Sequence, residues 1–252
     1  MIPRVALITG AGKRIGRAIA LHLAEAGWAI AAHYNESEAE ACDLVETIRD
    51  QGGRAEAFRA DLGREADVAA LVPRTAAALG PLGCLINNAS TFEYDSVESA
   101  TRTSWDLHIE ANLRAPFVLI QGFAAQLPPD AQGSVINLID QRVWNLTPHF
   151  VSYTVSKAGL WTLTQTLAMA LAPRIRVNAV GPGPALPSRH QDAAQFTRQC
   201  AEVPLGRGTN PQEIAEAVAF ILEAPSMTGQ MIALDGGQHL GWAQPRHNAP
   251  LD

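Results

Sequence analysis

The feature that most restricts this chain is the turn Thr9-Gly10-Ala11-Gly12-Lys13-Arg14-Ile15-Gly16. It lies between a short apolar, β-rich run and a helical pattern that begins near residue 14. Glycines here let the backbone turn tightly and approach a pyrophosphate. The helix N-terminus that follows adds unpaired N–H groups and partial positive charge. A glycine cluster alone is weak evidence. Placed between a first strand and a first helix, it points to a dinucleotide site rather than a plain β–α turn.

The rest of the chain repeats that alternation. Strand-like runs fall at Arg4–Thr9, Trp28–Tyr34, Arg54–Ala60, Leu82–Asn87, Gly133–Ile139, Ile175–Val180 and Gln230–Leu234. Helical patterns lie between them, near 14–26, 38–50, 64–79, 101–127, 151–171 and 211–223. Strand, helix and strand in succession predict an α/β fold: a doubly wound, Rossmann-type parallel sheet with helices on both faces and right-handed crossovers. One domain is expected over 1–241, with 242–252 as a tail that has no core of its own. Residues from about 184 to 209 break the rhythm with prolines and polar side chains, and the expectation there is a small lid.

Composition narrows the function classes. A chain of 252 residues, 47% hydrophobic and 17% charged, suits a single α/β domain with a large core. A net charge of −6 argues against an extended nucleic-acid surface. No apolar run approaches the roughly 20 residues of a membrane span. The first strand-like run begins at about Arg4, which leaves no room for a signal peptide, so a cytoplasmic location is expected. Cys42, Cys84 and Cys200 are three and far apart, so no disulfide framework is expected. The histidines show no ligand spacing, so no metal is expected either.

Cofactor choice is read after the second strand. In NAD-specific folds an acid about 20 residues beyond the turn binds the ribose 2′-hydroxyl. Here the stretch reads Ala32-His33-Tyr34-Asn35-Glu36-Ser37, with tyrosine at the strand end. With Lys13, Arg14 and Arg17 nearby in the turn, this points to a 2′-phosphate, hence NADP(H). Glu36 opposes that reading if its carboxylate turns inward. Asp61, after the third strand, suits an adenine contact or a helix N-cap. Asn87-Asn88-Ala89-Ser90 ends the fourth strand at the edge where open α/β sheets bind ligands, although a polar strand-end turn has the same look.

Tyr153 and Lys157 stand four apart in a helical pattern, so both project from one face. A nearby ammonium favours the phenolate and eases proton transfer. The chain has only two lysines, Lys13 and Lys157, and three tyrosines. One lysine falls in the glycine turn and the other beside a tyrosine, which sets the pair apart from a chance spacing.

Tyr-x-x-x-Lys, the TG-x-x-x-x-x-G turn, Asn-Asn-Ala, Asn112 and Gly181-Pro182-Gly183 together resemble the short-chain dehydrogenase/reductase family, over roughly residues 4–241. The resemblance implies a seven-stranded doubly wound sheet, a nicotinamide cofactor and a homotetramer. It implies that Tyr153 donates the proton, that Lys157 binds the nicotinamide ribose and that Asn112 holds a relay water. Gly10, Lys13, Arg14, Ile15, Gly16, His33, Tyr34, Asn35, Ser37, Asp61, Leu62, Asn88, Ala89, Ser90, Pro182 and Gly183 would join Tyr153 and Lys157 around the cofactor.

Three departures are informative. Arg14 replaces the usual middle glycine of the turn, Asp140 replaces the serine thirteen residues before the tyrosine, and Ser90 stands where glycine is frequent. These changes are similar to the pteridine reductase branch, which includes the bacterial dihydromonapterin reductases. In that branch an aromatic after Asn-Asn-Ala-Ser, here Phe92, stacks on a flat pterin. Arg14, Ser90, Phe92, Asp140 and Tyr153 would then contact substrate.

An ionised aspartate cannot donate a hydrogen bond and opposes a neighbouring phenolate, whereas a protonated one can donate. Asp140 is therefore expected to carry a proton in the productive complex and pass it through Tyr153 to a ring nitrogen, with kcat favoured by acid. As alternatives, Asp140 caps a turn, the substrate is a small ketone or other carbonyl compound, or the chain is a non-catalytic NADPH-binding protein. Trp161, Leu163 and Leu167 suit either a helix-to-helix interface or the monomer core, and Trp242 is a candidate to reach a neighbouring subunit.

Overall fold

Strands that read as unbroken apolar runs become the centre of the molecule. In a computed structural model that describes residues 2–188 and 191–241, seven strands form one parallel sheet. They are β1 Val5–Ile8, β2 Ala29–Tyr34, β3 Ala55–Arg59, β4 Cys84–Asn87, β5 Gly133–Leu138, β6 Ile175–Pro182 and β7 Met231–Leu234. Their order is β3-β2-β1-β4-β5-β6-β7, and every neighbouring pair is parallel. β1, β2, β4 and β5 are buried along their whole length, as expected for strands covered on both faces.

The helices are α1 Arg14–Glu25, α2 Glu38–Asp50, α3 Glu65–Leu79, α4 Arg102–Ile109, α5 Ala115–Gln126, α6 Val151–Leu171, α7 Ala193–Ala201 and α8 Pro211–Glu223. Alternation along β1 divides the core. Leu7 packs with Leu71, Leu119 and Phe123 beneath α3, α5 and α6, while Ala6 and Ile8 pack with Ile19, Leu44 and Ile214 beneath α1, α2 and α8. Chain order reverses between β1 and β4. This is the switch point at which a crevice opens outside the strand ends.

The structure departs from the expected elements in three places. The single helix over 101–127 is α4, a π-helical turn at Glu110–Arg114, and α5. A π turn carries an extra residue and re-aims one side chain, here Asn112, which is fully buried. The lid region contains α7, whose capping box Asp192–Gln195 starts a helix that hydropathy alone hides. β6 runs on to Pro182, two residues past its expected end.

Trp161 packs against the cluster formed by Ile139, Leu160 and Met231, and Leu167 against the larger core, so both serve the monomer. Val155 and Met169 are the exposed large apolar residues of α6. Trp242 and the tail 242–252 lie outside the described residues. No described helix is long and apolar enough to cross a membrane. Among the described residues, no group of His, Cys, Asp or Glu is arranged to hold a metal ion.

Candidate active site

The crevice begins with the glycine turn. Gly10 adopts φ +63°, and a Cβ on Gly16 would lie 2.3 Å from the Gly10 carbonyl oxygen and 2.7 Å from Asn88 Nδ2. The turn is pinned from β4: Asn88 Nδ2 donates to the carbonyls of Thr9 (2.8 Å) and Gly10 (3.2 Å), and Thr9 Oγ1 accepts from the N–H groups of Asn88 and Ala89 (both 2.9 Å). Asn88 therefore shapes the site as well as lining it. Thr9 opens the glycine motif, but only the fold shows its hydroxyl accepting from the strand end of β4.

His33 also braces the turn. Its Nδ1 accepts from Gly10 N at 3.1 Å, so Nε2 bears the proton and donates to the Ala60 carbonyl at 3.1 Å. Burial drives this imidazole from 6.5 down to about 4, with the Ala60 carbonyl opposing the shift. The unfolded chain takes up this proton below pH 6.5 and the folded one only below about 4. Stability should therefore fall as pH drops through that window, by about 3 kcal/mol from this group. Urea unfolding of wild type and His33→Gln at pH 7 and 4.5 checks it. An equally steep loss in the variant would remove His33 as the cause.

The basic cluster expected beside a 2′-phosphate is divided. Lys13 pairs with Glu40 at 2.5 Å, and Arg17 pairs with Asp43 at 2.8 Å. Arg14 alone faces the cavity, donating weakly to the Leu186 carbonyl at 3.4 Å. Arg14 holds φ +53°, a left-handed backbone normally given to glycine, which costs of order 1 kcal/mol. Tyr34 Oη donates to Glu38 at 3.0 Å, while Asn35 and Glu36 are exposed. Asp61 is no helix N-cap: Arg64 holds that position on α3, and Asp61 Oδ1 accepts instead from Gly63 N at 2.9 Å. Leu62 is buried beside it, in the core under α3.

The chemical centre lies at the ends of β4, β5 and β6. Ile15, Asn88, Ser90, Phe92, Asp140, Tyr153, Lys157, Pro182 and Gly183 line one cavity of about 290 Å³ with Arg14. Tyr153 Oη donates to Asp140 Oδ2 at 3.1 Å, and Asp140 Oδ1 accepts from Arg142 N at 2.8 Å. Asp140 thus also caps the short 3₁₀ turn Gln141–Val143. Burial raises the Tyr153 hydroxyl well above its ordinary value, and the Asp140 carboxylate adds to this. Lys157 Nζ donates to the Leu138 carbonyl at 2.8 Å, and burial lowers its ammonium to about 8 while Asp140 opposes the shift.

The Asn112 side chain is taken up by the turn after β4 and by α6. Its Nδ2 donates to Thr91 O (3.0 Å) and Ser156 Oγ (3.1 Å), and its Oδ1 accepts from Thr91 N (2.9 Å) and Ser90 Oγ (3.2 Å). It holds the Ser90–Thr91 turn against α6. Phe92 stacks on Phe150 (ring centroids 4.4 Å apart) and meets Tyr153 edge-on at 4.7 Å, so Phe150 covers one of its faces. Gln141, Arg142, Gln191, Gln199 and Gln238 also line the cavity. Gln191, Gln199 and Gln238 were not legible in the sequence because α7, the segment that leads into it and the turn after β7 reach the crevice only through folding. Gln141 and Arg142 follow Asp140 directly, with no motif of their own.

A glycine turn at a switch point, with a buried Tyr/Lys pair one crevice away, defines a nucleotide-dependent oxidoreductase site. Residues 10–239 match a family model described as enoyl-(acyl carrier protein) reductase. The chain belongs to the short-chain dehydrogenase/reductase family. It is 34% identical over 241 residues to the 3-oxoacyl-[acyl-carrier-protein] reductase FabG of Staphylococcus aureus, covering 93% of this chain and 98% of that one. Among solved structures it resembles FolM alternative dihydrofolate reductase 1 of Brucella suis in complex with NADP: 46% identity, TM-score 0.93, 97% of this chain and 99% of the other. The Brucella canis counterpart with NADP is 45% identical with a TM-score of 0.91, covering 97% and 98%.

Proposed function

We propose that the protein is an NADPH-dependent reductase of a dihydropterin-like C=N bond. The observation that carries this reading is the contact between Tyr153 Oη and Asp140 Oδ2, at the position where the family has an uncharged serine. The Brucella FolM proteins, at 45–46% identity, support it.

The residues fit a dinucleotide. At Gly16 the cradle has no room for a Cβ, and it opens onto the N-terminus of α1. Ser37, at the start of α2, makes no side-chain cap bond, and the exposed Lys13–Glu40 pair is weak enough to be exchanged for a 2′-phosphate. NADPH, when bound, supplies the hydride from nicotinamide C4. Lys157 orients the ribose and holds positive charge next to Tyr153. Phe92 brings an aromatic ring to the cavity wall for a flat substrate, while Arg14 and Ser90 offer polar contacts. Asp140, protonated in the productive complex, donates to Tyr153 Oη, which passes a proton to the ring nitrogen. A homotetramer, assembled in part through the exposed Val155 and Met169, completes the reading.

A second reading, reduction of a carbonyl in an acyl thioester, is favoured by the 34% identity to the S. aureus reductase. Asp140→Ser separates the two. Acting on a dihydropterin, the variant should lose about 100-fold in kcat/KM, because the second proton source is gone. Acting on an acetoacetyl thioester, it should hold or gain activity. NADPH oxidation at 340 nm with 7,8-dihydrobiopterin, at pH 5 and 7.5, is the assay, and the pterin rate should be higher at pH 5. A thioester rate above the pterin rate in wild type, or a pterin rate flat with pH, would sink the first reading.

A further inference from the structure

The helix that carries Tyr153 starts without a cap of its own. α6 follows Phe150, whose side chain caps nothing and whose φ of +58° is left-handed. Bare N–H groups at the start of a 21-residue helix need a partner, and an anion is the favoured one. That partner comes from a loop 57 residues earlier. Asp95 Oδ1 accepts from Ser152 N at 3.2 Å, and Oδ2 accepts from Ser152 Oγ and from Ser104 Oγ (3.1 Å). The Asp95 carbonyl also accepts from Phe150 N at 2.7 Å. Asp95 is 1% exposed, with no cation against it among the described ion pairs. Burial alone would push its carboxyl up, but the hydrogen bonds from Ser152 and Ser104 outweigh this and hold it below the ordinary value.

The same serine joins a second branch. His108 Nε2 accepts from Glu93 N at 3.0 Å, so Nδ1 bears the proton and donates to Ser152 Oγ at 2.7 Å. Ser152 precedes Tyr153 in the chain, and Glu93 follows Phe92. His108 also meets the Tyr153 ring edge-on at 5.9 Å. A Ser/His/Asp trio in this order has its serine proton directed at the carboxylate and the histidine away from it, so the serine is no nucleophile. The three side chains form a buried strut between the two walls of the cavity.

We infer that Asp95, Ser152 and His108 are positioning residues: Asp95 caps the helix that aims Tyr153, and His108 holds the loop that aims Phe92. This rests on the reading of Tyr153 as proton donor, and it adds a division of labour. Loss of the Asp95 branch misplaces the donor and should lower kcat. Loss of the His108 branch frees the Phe92 loop and should raise KM. A merely structural network would lower the unfolding midpoint without dividing the kinetics in this way.

The test is steady-state kinetics of the full chain with saturating NADPH, well below the unfolding midpoint. The substrate is whichever of 7,8-dihydrobiopterin or an acetoacetyl thioester wild type reduces. Asp95→Asn should lose about tenfold in kcat with KM nearly unchanged. His108→Leu should raise KM about tenfold with kcat nearly unchanged, and His108→Gln, whose Oε1 can accept from Glu93 N, should recover most of that. If Asp95→Asn does not fold, Ser152→Ala replaces it. That variant keeps the backbone cap but removes the hub, and should show a smaller kcat loss with a KM rise. Wild-type kinetics in the folded variants, or kcat and KM moving alike in both branches, overturns the inference. Tyr153→Phe is the control. If it is inactive while Asp95→Asn is fully active, this inference alone falls; if it is fully active, the donor assignment falls and this inference with it.

Discussion

Replacing Tyr153 by phenylalanine should reduce kcat by about 10³-fold while leaving NADPH affinity nearly intact. The hydroxyl lines the cavity beside Asp140, so on turning from that carboxyl to a substrate atom it can donate a proton and be resupplied by Asp140. It donates to Asp140 Oδ2 at 3.1 Å, and Lys157 Nζ lies 5.8 Å from its ring centroid. Burial and the neighbouring carboxylate both hold the phenol protonated, which suits a donor and not a base. The phenylalanine ring keeps the edge-on packing against Phe92, so the loss reads the proton and not the fold.

Lys157 sets the basic side of the same profile. With its ammonium lowered to about 8, its positive charge is lost as pH rises through that value, and kcat should decline above it. Tryptophan fluorescence with NADPH, alongside NADPH oxidation from pH 5 to 9, separates binding from chemistry. A Tyr153→Phe enzyme with wild-type kcat would remove the proton-donor role and leave a binding protein as the better description.

The second large effect belongs to Gly16. An alanine there would put its Cβ 2.3 Å from the Gly10 carbonyl, 2.7 Å from Asn88 Nδ2 and 3.0 Å from Ala11 Cα. Two of these three atoms are backbone, so moving the Asn88 side chain alone cannot relieve the clash. The turn itself must move, at a cost of about 1–3 kcal/mol. Because this turn is the proposed pyrophosphate cradle, NADPH affinity should fall by about 100-fold as its N–H groups lose their aim.

Gly27→Ala is the contrast. Gly27 holds φ +82° with open space around its missing Cβ, so its alanine should cost about 1 kcal/mol of stability and leave NADPH binding alone. Calorimetric titration with NADPH reads both. Equal NADPH affinity in wild type and folded Gly16→Ala would remove the turn from the cofactor site.

Much of this was legible without coordinates. Strands buried on both faces need apolar runs, and β1, β2, β4 and β5 show them as VALI, AIAAHY, CLIN and GSVINL. Tyr153 and Lys157 face one way because four residues make about one helical turn. Local chemistry is enough for such features. The break in the 101–127 helix was not legible, because a π turn is stabilised by where Asn112 finds partners and not by its own residues. Nor was the capping role of Asp95, since its partner is distant in the chain.

Basic residues show the division best. Lys13, Arg14 and Arg17 look like one cluster in the sequence, but a helical turn sends Lys13 to Glu40 and Arg17 to Asp43, leaving Arg14 for the cavity. The sequence by itself determined the sheet, the glycine turn and the Tyr153–Lys157 face, because each depends on residues close together along the chain. Only the tertiary structure decided which charges are neutralised, which polar groups brace the site and what lines the cavity, because those contacts join segments that meet only where seven strands end together.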